Sequence, residues 1–110
     1  MPLFEKARLE VYVPDVPSPR YRSLLDALEK EFTYTFGGCT LMRGVHGSYL
    51  SDAGVQLTDP VNVLYTDGCI RFDPNLEALS RFTDRLREAV CEALDEEAVL
   101  VAAFKVYHSA

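Results

Sequence analysis

An α+β sandwich, two helices laid on one face of a four-stranded antiparallel sheet, is the fold class this sequence predicts. Three observations predict it: apolar residues alternate with polar ones in the segment 7–13, two later segments carry apolar stripes at helical spacing, and the elements follow the order strand, helix, strand, strand, helix, strand. A chain of 110 residues that is 48% hydrophobic and 25% charged has the size and composition of one compact domain covering residues 1–110.

Each element has its own local reason. In "ARLEVYV", Leu9, Val11 and Val13 alternate with Arg8, Glu10 and Tyr12, the period of a strand with one buried face. Ser18 and Pro19 then form a cap followed by proline in the first helical position, and Tyr21, Leu24, Leu25, Leu28 and Phe32 recur at three- and four-residue steps, so a helix is expected over 19–32. Gly37 and Gly38 follow it, where a left-handed residue ends a helix. Strand character returns over 39–50 and 55–66, separated by "SDAG", whose Asp and Gly suit a tight reversal. These two arms form a long β2–β3 hairpin, with bends expected at Gly44 and Gly47 in the first arm and at Pro60 in the second. Asp73 and Pro74 repeat the cap-then-proline start, and Leu76, Leu79, Phe82, Leu86, Val90 and Leu94 trace the stripe of a long second helix. After "DEE", the run "AVLVAAFKVYHSA" reads as a closing strand.

That order is the split βαβ pattern of a ferredoxin-like sandwich. If Leu9, Val11 and Val13 meet the helices, then Arg8, Glu10 and Tyr12 line the opposite, open face. On the last strand Leu100, Ala102, Phe104 and Val106 are expected to face the helices, leaving Val99, Val101, Ala103, Lys105 and Tyr107 outside. Glu10, Tyr12, Lys105 and Tyr107 are therefore the expected binding or interface residues. An open face that is partly apolar calls for a partner, and a homodimer joined through that face, or a small ligand beneath a loop, is expected.

The charge balance, 11 Lys and Arg against 17 Asp and Glu, gives a net charge of −6, which repels phosphate backbones and anionic lipid surfaces. Nucleic-acid and membrane partners are not expected, and no run approaches the roughly 20 apolar residues of a membrane span. The amino terminus has no apolar stretch long enough for a signal peptide, so a cytoplasmic protein is expected. Cys39, Cys69 and Cys91 are odd in number and lack CxxC spacing, which fits reduced thiols rather than a disulfide framework.

Five of the six glycines and one of the two histidines crowd into "YTFGGCTLMRGVHGSYLSDAG". A phosphate-binding loop needs its glycines after a strand and before a helix, the reverse of the order here. The three cysteines and two histidines have no compact metal-ligand spacing, so no metal and no cofactor are expected. No nucleophile elbow surrounds any Ser or Cys. His46, set among glycines, is the first candidate for an exposed acid or base, because an unperturbed imidazole titrates near neutrality. Tyr49, Tyr65 and His108 join it as candidate catalytic residues in a cleft between the long hairpin and the last strand.

The hairpin "TLMRGVHGSYLSDAGVQLTDPVNVLYTD", the amphipathic helix after it and the closing "EEAVLVAAFKVYHS" resemble an uncharacterised bacterial family of small ferredoxin-like domains of unknown function. Gly47, Tyr49, Gly54, Pro60, Val63, Leu64, Glu97, Val99 and Leu100 carry the resemblance. It implies the fold and no mechanism. The function expected is a small soluble self-associating binding or regulatory module. The rival is a small enzyme of the dimeric α/β-barrel type, using His and Tyr for acid–base chemistry on an organic substrate.

Overall fold

The computed structural model describes residues 3–68, 70–96 and 99–109. Its elements are β1 (Leu3–Pro14), α1 (Pro19–Phe36), β2 (Thr40–Leu50), β3 (Gln56–Gly68), a short 3-10 turn (Asp73–Asn75), α2 (Leu76–Leu94) and β4 (Leu100–Ser109). The four strands form one antiparallel sheet in the order β2-β3-β1-β4, the ferredoxin-like order that the sequence predicts.

α1 runs a turn past the expected 19–32, to Phe36, because Phe36 still has apolar partners: its ring stacks edge-on with Phe32 at 5.8 Å and with Phe82 of α2 at 5.5 Å. Gly37, with φ +91°, then closes the helix by donating its N–H to the Thr33 carbonyl. At the other end Ser18 and Asn75 occupy the capping positions of α1 and α2 without making a side-chain cap bond. Asp73, read as the cap of the second helix, instead begins the 3-10 turn, and its carboxylate accepts from Lys105 Nζ at 2.7 Å. α2 ends on Asp95 in the left-handed conformation, and the next residue, Glu96, accepts a hydrogen bond from the Tyr21 hydroxyl, tying this turn to α1.

Between helices and sheet lie Val11, Val13, Leu25, Leu28, Phe32, Leu64, Val90, Leu94 and Val99, continued by Ala7, Leu9 and Leu79. Each large side chain fully buried there contributes roughly 1.5–3 kcal/mol by leaving water. The predicted helical stripes are this core, apart from Leu76, which stands exposed at the first turn of α2.

Two expectations about the strands are corrected. In the hairpin the irregularity is confined to β2: Met42 pairs with Val63 and Val45 with Val61, so Arg43 and Gly44 together face Asn62. Gly44 adopts φ +70°, while Gly47 keeps register opposite Asp59 and Pro60 opposite His46, so neither bends its arm. The second correction concerns β4. Its ladder to β1 pairs Val101 with Val11, Ala103 with Leu9, Lys105 with Ala7 and Tyr107 with Glu5, and directly paired residues share a face. Val101 and Ala103 thus pack toward the helices, and Leu100, Ala102, Phe104, Val106 and His108 occupy the open face, the reverse of the expected assignment.

Candidate functional site

Alternation along β1 turns Arg8, Glu10 and Tyr12 away from the helices once Leu9, Val11 and Val13 are buried. The ladder sets Asp67 of β3 directly opposite Arg8, and Tyr65 opposite Glu10. Arg8 grips the Asp67 carboxylate with both arms of its fork, Nε to Oδ1 at 2.6 Å and Nη2 to Oδ2 at 2.9 Å. Its guanidinium lies 4.4 Å from the centre of the Tyr65 ring, a cation–π contact that fixes the fork from below. From β4, His108 Nε2 comes to 2.6 Å from Asp67 Oδ2. Three strands thus converge on one carboxylate whose side chain is 15% exposed.

The electrostatics follow from that geometry. Hydrogen bonding by Arg8, and next by His108, holds the Asp67 carboxyl below the usual carboxylate range, overriding the opposing effect of burial. The same bond raises Arg8 further. Asp67 is therefore a fixed anion that orients the His108 ring through Nε2, leaving Nδ1 without a hydrogen-bond partner among the described residues. A carboxylate-oriented imidazole of this kind can accept or deliver a proton. Asp67 and Tyr65, but not His108, also line a cavity of about 370 Å³ together with Lys6 and the segment Gly37, Gly38, Cys39 and Thr40. Further along the face the Tyr12 hydroxyl donates to Glu10 at 3.2 Å, and the phenol is held protonated to higher pH by burial, then by the Glu10 charge.

The candidate acid–base residues separate into two pairs. Tyr65 and His108 meet at the Arg8–Asp67 ion pair. His46 and Tyr49 lie far out on the hairpin, both exposed, with the Tyr49 hydroxyl donating to Asp59 at 2.8 Å. Pro60, which pairs with His46, is five residues from Tyr65 along β3, roughly 17 Å of strand. Of the expected interface residues, Glu10 and Tyr12 do line the open face, whereas Lys105 and Tyr107 belong to the helix-side face. There Lys105 bonds Asp73 and approaches Glu5, and Glu5 accepts the Phe72 N–H at 3.0 Å.

Arg8 is expected on the open face, but nothing local in the sequence pairs it with Asp67. Their strand parity carries the signal: opposite charges on two strands, each at an open-face position, become partners once the β1–β3 register is known. Among the described residues no three His, Cys, Asp or Glu side chains converge as a metal-binding group. Cys39 and Cys91 are free thiols, and Cys69 lies outside the described residues. Among the described residues no helix is long and apolar enough to cross a membrane.

No family model matches the chain, and no curated protein matches it. Among solved structures it is similar to the crystal structure of CutA1 from Oryza sativa, with a TM-score of 0.60 and 18% sequence identity over 98% of this chain and 85% of that chain. At that identity the likeness is one of fold, and the chain is a ferredoxin-like α+β protein.

Proposed function

We propose that this protein is a small self-associating binding module, and that its open sheet face docks against a second copy of the same chain. One observation carries the reading: helices cover one face of the sheet only, and on the other Phe4, Met42, Val45, Tyr49, Leu57 and Leu100 are all exposed. Four strands about ten residues long present roughly 600 Å² of sheet, the same order as the 800 Å² or so that each partner buries in a standard interface. Charge supports the same occupant. The chain as a whole carries −6 and repels its copies, but on this face Arg8 is already matched to Asp67 and Glu10 is bonded by Tyr12. A face-to-face pair related by a two-fold axis uses the same face on both copies, so the contact closes at two. The free thiols, the resemblance to the uncharacterised bacterial family and a cytoplasmic location belong to the same proposal.

Sedimentation velocity tests it. The native chain is expected to sediment as a concentration-dependent oligomer, and Met42→Glu and Leu100→Glu as monomers of unchanged fold. Tyr34→Glu, an equally exposed position on α1, leaves association intact. Equal sedimentation of all four proteins overturns the proposal.

A second reading, a small enzyme acting on an organic substrate, draws support from the Asp67–His108 pair, of which Asp67 lines the 370 Å³ cavity. The distance of His46 and Tyr49 from that cavity removes half of the grouping that motivates it.

A further inference from the structure

The bulge in β2 faces a second, smaller cavity on the helix side of the sheet, where β1 leads into α1. Its volume is about 170 Å³, close to the roughly 150 Å³ that accommodates a benzene-sized guest. Val13 and Leu25 form its apolar wall, and Asp15, Arg22, Arg43 and Asn62 bring polar groups to it. Asn62 is only 5% exposed. Its Nδ2 donates to Asp15 Oδ1 at 3.3 Å, which fixes the orientation of the amide, and its Oδ1 is buried with no partner. A buried acceptor left without a donor is costly, and such groups recur where a ligand completes the bond.

The extra residue of the bulge sits directly opposite this amide, so that Arg43 and Gly44 together face Asn62. Neither Arg43 nor Arg22 has an ion-pair partner among the described residues, and the first turn of α1 carries no acid. The cavity is therefore bipolar. Two guanidiniums and a helix N-terminus favour an anion, while the Asp15 carboxylate favours a cationic group and Asn62 Oδ1 accepts from any donor. A simple anion is opposed by Asp15, and a simple cation by the two arginines.

We propose that this cavity binds a small free α-amino acid, its carboxylate held by Arg22 and Arg43 and its ammonium group by Asp15 and Asn62 Oδ1. The site is separate from the open face, so its ligand and the self-association can be tested apart. The test is a titration of the intact protein with L-alanine, followed by amide NMR, with acetate and methylammonium as probes carrying one charge each. Saturable shifts are expected at Val13, Tyr21, Arg22, Leu25 and Arg43 and in the Asn62 side-chain amide. Arg43→Gln and Asp15→Asn, both surface substitutions whose folding the same spectra report, each weaken binding by roughly tenfold, the loss of one charge-assisted contact. Acetate and methylammonium bind weaker than alanine by a similar factor. Unsaturated shifts with alanine, binding unaffected by Asp15→Asn, or acetate binding as tightly as alanine overturns the proposal.

Discussion

At the scale of single residues, Asp67 organises the open face, because a bidentate arginine and a histidine both depend on its charge. Its folded pKa lies below the unfolded value of about 3.9. The stability it contributes is thus fully present above that value and is lost as pH falls through the folded pKa. Asp67→Asn is expected to cost about 1.5–3 kcal/mol at neutral pH, the range for a hydrogen bond to a charged group. In urea denaturation the gap between variant and native protein should close as the pH is lowered below 4 or so; a gap that stays constant across that range contradicts the assignment. His108 and Tyr65 were legible in the sequence as chemistry-bearing residues, but their meeting point was not. Arg8 and Asp67 are 59 positions apart, and only a strand register, which no local pattern encodes, brings them to one carboxylate.

Among the elements, the helices and the hairpin were legible because their punctuation is local: a proline start and glycine end for α1, a six-position apolar stripe for α2, an Asp-Gly turn between β2 and β3. The faces of β4 were not, for a physical reason. "LVAAFKV" is apolar at both parities, so period-two alternation does not select a face, and a one-residue shift of the pairing with β1 reverses every side chain. Glycine content alone marks Gly44 and Gly47 equally as bends in β2, and only the pairing with β3 separates them. Gly44 is the residue that the bulge requires, with a positive φ and open space where a Cβ would lie. Gly44→Ala is expected to cost about 1–2 kcal/mol through backbone conformation alone, and Gly44→Asn less, because Asn tolerates the left-handed region. Equal stability of Gly44→Ala and the native chain in chemical denaturation contradicts the bulge. In the core, Phe32 is fully buried and stacks on Phe36, so Phe32→Ala should cost about 3–5 kcal/mol by the same measurement.

For the whole molecule, the central claim is that the fold is one layer short of closed. The βαββαβ order commits both helices to one side, and the other side carries exposed apolar residues around an internally neutralised ion pair. The sequence conveyed that layer count, since it follows from element order, and conveyed the presence of an open face through β1. Which β4 residues complete that face came only from the register. Multi-angle light scattering on the native chain across a dilution series is the most direct measurement. Self-association predicts a mass that is an integral multiple of 12.4 kDa at tens of micromolar and falls toward 12.4 kDa on dilution; a mass of 12.4 kDa at every concentration contradicts it.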